Sequence, residues 1–343
     1  MKRFLLSILV IAGVPMLIAL GLYLWTDPFR TLHPFDINDT DATNREYAST
    51  ELFRRNHSTY HYNAFVFGSS QASGLNTYTW ALYLPDSAST FLFQAYAETI
   101  TGVKQKVEWL DKQNAHIDYS LVLIDIPGFF SNRQYGYEAV SMKHWRLSGE
   151  PEWLYHTHEY LNFLQRPSFW WTNIKRTVNG VKEPFDNDTV TNDFFAYNRY
   201  HYDVLPPQDS LKNCSEVTRR TFFAEVNNRT EADVKMSKAV INSRMQQILC
   251  DIKAVFDKQH TDYHIIITPA YRYVHPYLNT ADLEVLQHIF GKERVWDFTT
   301  DPQLTSDYND FFDPVHFGTR LGWYMLQDIY GSTLIEQPKT MEK

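Results

Sequence analysis

The ten residues YNAFVFGSSQ, Tyr62 to Gln71, decide the fold of this chain. Their apolar part is short and rich in aromatic and β-branched residues, which is typical of a strand buried on both faces. Gly68, Ser69 and Ser70 follow at once and predict a tight turn that opens a helix. A buried strand that runs through a turn into a helix is the repeating unit of parallel α/β proteins.

Three later segments repeat this apolar strand pattern, namely Tyr119–Ile126, Tyr263–Thr268 and Arg294–Phe298. Helical spacing of apolar residues predicts helices between them, at 76–84, 95–113, 241–256, 281–290 and 318–330. We therefore expect an α/β fold, a three-layer sandwich with a mainly parallel sheet covered on both faces. The loops at the carboxyl ends of such strands form the usual active-site rim.

Ser70 lies on this rim, three residues after the first strand. An exposed hydroxyl at a strand–helix corner is a nucleophile if a base lies within hydrogen-bond reach. The backbone N–H of Ser70 would point to the same space and bind a developing oxyanion. The alternative interpretation is a plain helix cap, because serine is a favoured N-cap residue.

His316 supplies a candidate base, and Asp313 precedes it by three residues in a loop before the last predicted helix. A carboxylate at that spacing can hold one imidazole nitrogen and leave the other free for a serine. The alternative is a surface Asp-Pro turn with an incidental histidine. The order of the motifs favours the catalytic interpretation, because Gly-x-Ser follows the first strand and Asp-x-x-His precedes the final helix.

These motifs resemble those of the SGNH/GDSL hydrolases: FVFGSS is similar to their first block, with Gly-Ser-Ser for Gly-Asp-Ser, and DPVH to their last. The resemblance implies an SGNH-like fold with Ser70, Asp313 and His316 as catalytic residues. The chain also resembles a membrane-anchored branch, similar to the D-alanine transfer protein of teichoic-acid modification and to alginate O-acetylation proteins. That branch implies a serine esterase or O-acyltransferase acting on a cell-envelope glycan, with a membrane-bound O-acyltransferase or export proteins as partners.

The sequence departs from the family where the oxyanion hole is completed. The second block of the family falls near Gln94–Ala97, where alanine replaces the expected glycine. The third block normally supplies an asparagine, but the end of the second predicted strand has Asp125 and no clear Gly-x-Asn-Asp motif. Gln71 or Gln94 is the candidate side-chain donor. Asp125 is either catalytic support or a hydrogen-bonded structural carboxylate, and Arg272 either holds an anionic substrate group such as a phosphate or uronate or forms a surface ion pair. A non-catalytic binding or assembly subunit on a degenerate scaffold is the alternative function.

The segment Phe4–Trp25 has no charged residue and is long enough to cross a hydrocarbon core of about 30 Å. Lys2 and Arg3 precede it, so the positive-inside rule predicts a single-pass inner-membrane protein, anchored by residues 1–26, with residues 27–340 in the periplasm. A cleaved signal peptide is the alternative. An aromatic-rich insertion is expected at about 130–234, in which Trp170 and Trp171 form a sugar platform, a membrane-facing edge or a packed core.

The net charge of −8 and the lack of a basic stripe argue against nucleic-acid binding. The chain has two cysteines, Cys214 and Cys250, and no Cys/His cluster, so we expect no metal and no cofactor. In an exported domain the two cysteines could form a disulfide or stay reduced, and both states remain open.

Overall fold

A computed structural model describes residues 2–33, 44–126, 128–131, 142–165, 167–180, 223–224, 226, 228–230, 237–274, 277–311 and 313–331. Within this part the protein has an α/β fold built on one five-stranded parallel sheet. The predicted α/β class and parallel sheet are confirmed, and the architecture is consistent with a three-layer sandwich.

The strands are β1 (Ala64–Gly68), β2 (Thr90–Gln94), β3 (Tyr119–Ile124), β4 (Asp262–Ile267) and β5 (Val295–Asp297). Their order across the sheet is β2-β1-β3-β4-β5. Every residue of β1 and β2 is buried. Because successive side chains point to opposite faces, this burial means that both faces of these strands are covered.

The strand order places a topological switch point between β1 and β3. The chain passes from β1 to its neighbour β2, then returns across β1 to form β3 on the other side, and continues outward to β5. Crossovers that leave in opposite directions open a crevice at the carboxyl ends of the two strands, where α/β proteins bind ligands. Ser70 follows β1 and Asp125 follows β3, so both lie at this crevice.

The structure has a strand, β2, that the sequence analysis did not predict. Its residues TFLFQ form a continuous apolar run that follows the turn-forming residues 85–89, but the run is only five residues long and does not alternate, so its periodicity does not identify it as a strand. The helix predicted at 95–113 accordingly begins later, at Ile100. Thr99 caps it by accepting a hydrogen bond from the Gly102 N–H at 3.3 Å.

The helices of the described part carry the labels α1 to α11 in chain order: α1 Lys2–Thr26, α2 Arg45–Tyr60, α3 Thr77–Ala81, α4 Ile100–Lys112, α5 Trp145–Ser148, α6 Glu152–Leu164, α7 Pro167–Asn179, α8 Ser243–Gln259, α9 Thr280–Phe290, α10 Pro302–Thr305 and α11 Thr319–Tyr330. The predicted apolar face of α4 is buried at Val103, Val107 and Leu110. The helix α2 was not predicted, because its sequence is polar and only weakly periodic.

The chain divides into two compact units, one formed by Met1–Ala48 with Tyr135–Phe185 and the other by Ser49–Gln134 with Asp186–Lys343. The first unit contains α1, α6 and α7, around a small core of Tyr23, Phe29 and Phe163. The second contains the sheet. The predicted insertion includes α6 and α7, and its stretch 181–222 lies outside the described residues.

The helix α1 is continuous over 25 residues. Within the described part of the chain, no helix reaches the length and apolarity that crossing a bilayer requires. The membrane anchor therefore stays a prediction. Cys214 lies outside the described residues, so the disulfide also stays a prediction, and Cys250 is exposed.

Candidate active site

The nucleophile candidate lies at the start of a short 3-10 helix, Ser70–Gly74, immediately after β1. Ser69 is its N-cap and accepts a hydrogen bond from the Gln71 N–H at 3.2 Å. Ser70 is half-buried, and its own N–H makes no hydrogen bond to a described residue, as expected for the first residue of a helix. The same residue therefore presents both a hydroxyl and an unused backbone donor to the crevice.

His316 meets Ser70 across 246 positions of the chain. The distance from Ser70 Oγ to His316 Nε2 is 2.8 Å, and that from His316 Nδ1 to Asp313 Oδ2 is 2.7 Å. The other carboxylate oxygen of Asp313 accepts from the backbone N–H groups of Val315 and His316, at 2.8 and 3.0 Å. The structure thus brings the three predicted catalytic side chains into one hydrogen-bonded chain.

The protonation of Asp313 fixes the direction of these hydrogen bonds. Burial raises the pKa of this carboxyl group, but the charge of His316 and the three hydrogen bonds outweigh it, and the net effect lowers the pKa. An ionised carboxylate only accepts, so His316 Nδ1 must carry the proton. In a neutral imidazole Nε2 is then an acceptor, and the Ser70 hydroxyl donates to it.

The loop that carries His316 is held on both sides. Phe311 and Phe317 form a β-bridge at its base, and the Tyr271 N–H, after β4, donates to the Pro314 carbonyl at 2.9 Å. Gly74, at the end of the nucleophile helix, is so close to Phe317 that an added Cβ would lie 2.4 Å from its ring. This contact requires glycine and fixes the separation of Ser70 from His316.

The same glycine also contacts the last helix. An added Cβ on Gly322 in α11 would lie 2.2 Å from the Gly74 carbonyl oxygen. The nucleophile helix, the His316 loop and α11 therefore pack backbone to backbone at one point. This close packing restricts changes in the distance between Ser70 and His316.

Asp125 follows β3 and lies within electrostatic range of the candidate site. Desolvation raises the pKa of its carboxyl group to about 6, and an interaction with the Ser69 side chain and the charge of His316 lower it only partly. Its Oδ1 atom has no solvent access and no partner among the described residues. A buried carboxylate oxygen without a hydrogen bond is costly, which marks this position as functional or strained.

Ala97 lies in the loop after β2, where the family pattern has glycine. It adopts a φ of 47°, in the left-handed region that glycine favours. Its N–H makes no hydrogen bond to a described residue. Ala97 is therefore a candidate backbone donor that the sequence analysis did not name.

A buried ion pair stabilises this loop. Lys106 of α4 is fully buried and donates to the carboxylate of Glu98 and, at 3.2 Å, to the Phe93 carbonyl. Glu98 also accepts from the Thr99 N–H at 3.0 Å. Since Glu98 is the residue after Ala97, the pair ties the left-handed turn to the helix that follows.

The two predicted glutamine donors differ in their surroundings. Gln71 lines the cleft at this edge of the sheet, and the hydroxyl of Thr268, just after β4, donates to its side-chain oxygen, so this contact does not use its amide N–H groups. Gln94 is fully buried; its Oε1 accepts from the Ser73 hydroxyl at 3.3 Å, and its Nε2 has no partner among the described residues. Gln71 is therefore the better placed donor.

Arg272 lines a cleft together with Gln71. The cleft is small and partly open to solvent, and its walls are Gln71, Ile126, Thr268, Ala270, Arg272, Tyr277 and Thr299. The guanidinium lies 5.3 Å from the Tyr271 ring centre and has no carboxylate partner among the described residues. Its backbone φ of 42° is left-handed, which is costly for a non-glycine residue and concentrates at functional sites.

The fold and site together define a class: a parallel α/β protein with a Ser-His-Asp hydrogen-bonded chain at its switch point. No family model and no curated protein that was compared matches this chain. Among the described residues, no group of three or more His, Cys, Asp or Glu side chains could hold a metal ion. The function must therefore be argued from the geometry of the site.

Proposed function

We propose that this protein is a membrane-anchored, extracytoplasmic serine esterase or O-acyltransferase with an SGNH-hydrolase-like fold, acting on a cell-envelope polysaccharide. The observation that carries the proposal is the 2.8 Å hydrogen bond from Ser70 to His316, with Asp313 behind the imidazole. Only a base that is held in one tautomer and touches the hydroxyl can activate a serine.

The proposed reaction begins when Ser70 Oγ attacks the carbonyl carbon of an acyl donor and its proton passes to His316 Nε2. The resulting oxyanion accepts hydrogen bonds from the Ser70 N–H and, in our proposal, from the Ala97 N–H and the Gln71 amide. Collapse of the tetrahedral intermediate expels the alcohol, which takes the proton from His316. An ester between the acyl group and Ser70 remains.

The second half of the reaction reverses these roles. Neutral His316 removes a proton from water or from a sugar hydroxyl, which attacks the acyl-serine carbonyl, and the proton returns to Ser70 as the ester bond breaks. Water gives hydrolysis, and a sugar gives transfer. A negative group on the acceptor sugar could bind the guanidinium of Arg272, which lies on the wall of the cleft beside Gln71 and has no carboxylate partner among the described residues.

The membrane placement of the proposal is supported by α1 and its flanks. Lys2 and Arg3 precede its apolar run, and Asp27 follows it. Such an anchor would hold the second unit close to acyl donors supplied through the membrane, which favours transfer and a membrane-bound O-acyltransferase as partner. These placements rest on the sequence pattern and on the family resemblance.

Steady-state hydrolysis of an aryl acetate by the detergent-solubilised full chain tests the proposal. We expect Ser70→Ala and His316→Gln each to lower kcat by 10³-fold or more, as removal of a triad member generally does. The matched controls Ser87→Ala and His288→Gln change exposed residues of the same types. Equal activity of all five proteins would refute the catalytic role.

A second candidate function, a non-catalytic assembly subunit, is favoured by one observation. The carboxylate of Asp125 lies within electrostatic range of His316, and in its ionised form its negative charge would oppose a developing oxyanion. If this function is correct, Ser70→Ala supports polysaccharide modification in cells as well as the wild type does. Under the enzyme proposal the same variant abolishes modification.

A further inference from the structure

The helix α6 lies alongside the apolar helix α1 rather than beyond its end. The Tyr160 hydroxyl of α6 donates to the Met16 carbonyl of α1 at 2.6 Å. The ring of Tyr23 lies 5.7 Å from that of Tyr160 and 5.8 Å from that of Phe163. The contact between the two helices therefore extends from Met16 to Tyr23.

The helix α7 packs on the same place. Trp170 stacks on Phe163 with 5.3 Å between ring centres, and its indole N–H donates to the Phe163 carbonyl at 2.6 Å. Trp170 and Leu20 both belong to the core around Tyr23. The two helices thus form a hairpin, Glu152–Asn179, that is fixed against the second half of α1.

This contact lies at a depth that matters if α1 enters a membrane. Met16 is nine residues before Trp25, which at 1.5 Å per residue places it about 14 Å along the axis. If the hairpin were wholly in water, the bilayer would have to end before Met16. Only Phe4–Pro15 would then remain, about 18 Å of helix against a hydrocarbon core of about 30 Å.

Both helices of the hairpin expose large apolar side chains, beside polar ones such as Thr157 and Lys175. On α7, Trp171 is 60% exposed and Val178 is 67% exposed. They are seven residues apart and so share one helix face. On α6, Trp153 and Leu161 are also exposed and lie eight residues apart. Exposed apolar side chains that gather on one surface mark a contact with a partner or a membrane.

The positive charge of α7 favours an anionic membrane surface as the partner of this helix. The helix contains Lys175 and Arg176 and no acidic residue, whereas the whole chain has a net charge of −8. The Lys175 ammonium lies 5.2 Å from the Trp171 ring centre. A tryptophan beside a basic residue on an amphipathic helix fits the interface of an anionic phospholipid bilayer, where apolar faces are immersed by about 5–10 Å.

We propose that the α6–α7 hairpin is an interfacial membrane element that lies in the outer leaflet beside α1, with Trp171 and Val178 in contact with lipid. The inference rests on the membrane placement of α1 in the proposed function and extends it. It makes α1, α6 and α7 a three-helix membrane unit. In this unit the Tyr160 hydroxyl donates its hydrogen bond to a backbone carbonyl of α1, so it does not need water as a partner.

Photocrosslinking of the full chain in nanodiscs of phosphatidylethanolamine and phosphatidylglycerol tests this inference. Benzoylphenylalanine replaces one residue at a time, at Trp171, Val178, Ile11 of α1 and Trp323 of α11. Trp323 is the matched control, an exposed tryptophan of the other unit. Lipid adducts are read by mass spectrometry, and near-UV circular dichroism shows that each variant is folded.

The expected result is lipid adducts at Trp171, Val178 and Ile11, at least tenfold above Trp323. Adducts at Ile11 with none above the control at Trp171 and Val178 would overturn the inference and leave the anchor standing. No adducts at any of the three positions would overturn both. The outcome does not depend on catalysis, so it is separate from the aryl acetate assay.

Discussion

Replacing Asp125 by asparagine removes a desolvated charge, one of whose two oxygens has no hydrogen-bond partner among the described residues. The side chain keeps nearly the same shape, and only the buried negative charge is lost. The carboxyl group has a pKa of about 6, well above its ordinary value of 3.8, because burial disfavours the ionised form. The substitution therefore tests whether this carboxylate destabilises the native protein.

The magnitude follows from linkage. A folded-state pKa above the unfolded value means that the native state binds the proton more tightly, so the free energy of unfolding falls as the pH rises from about 4 to about 6. At about 1.4 kcal/mol per pK unit, the ionised Asp125 costs about 3 kcal/mol at pH 7. We expect Asp125→Asn to raise the free energy of unfolding by up to that amount at pH 7 and by only about 0.5 kcal/mol at pH 4, where the native carboxyl group is almost fully protonated.

Urea unfolding at both pH values measures this difference. The matched control is Asp297→Asn at the end of β5, whose carboxylate accepts from the Thr299 N–H and hydroxyl at 3.0 and 2.6 Å. That satisfied carboxylate should give no gain when it is replaced. If Asp125→Asn is no more stable than the wild type at pH 7, or gains equally at pH 4, the argument from desolvation is wrong. An amide here can also donate, so we expect acylation to become faster.

Three further substitutions test the packing and the cleft. Gly322→Ala should lower the free energy of unfolding by about 1–3 kcal/mol in urea titrations, because its Cβ clashes with the backbone of the nucleophile helix. The control Gly21→Ala should cause no such loss, because an added Cβ there has no atom within 4 Å. Lys106→Met should lower the free energy of unfolding by about 3–5 kcal/mol, because it leaves the buried charge of Glu98 unpaired. The double variant Lys106→Met with Glu98→Gln should lose less, and an equal loss in the two variants would contradict this. Arg272→Ala should abolish any preference in kcat/KM for carboxylate-bearing over neutral esters, and an unchanged ratio would exclude Arg272 from substrate binding.

The fold was predictable where local pattern and tertiary role agree. β1, β3, β4 and β5 are apolar runs bounded by turn residues, and each was predicted to within about two residues. β2 was missed because its five residues form a short apolar run without alternation, although the turn-forming residues 85–89 precede it. α2 was missed because the sheet, rather than its own periodicity, determines which of its residues are buried.

The candidate site was predictable only in its motifs. Gly-Ser-Ser and Asp-Pro-Val-His give the residue types, and the strand–helix alternation places them on one rim. The left-handed turn at Ala97 could not be predicted, because no glycine stands at that position. The contact of Gly74 with Phe317 could not be predicted either, because it joins two segments that are distant in sequence. The unpartnered state of Asp125 is a property of burial, which composition and spacing do not reveal.

The most direct measurement of the central claim is the site of covalent reaction with a fluorophosphonate, mapped by peptide mass spectrometry on the full chain. The account predicts one adduct per chain, on the Ser70 hydroxyl, formed at least 10³-fold more slowly in His316→Gln. An adduct on another residue, or the same rate without the imidazole, would contradict it.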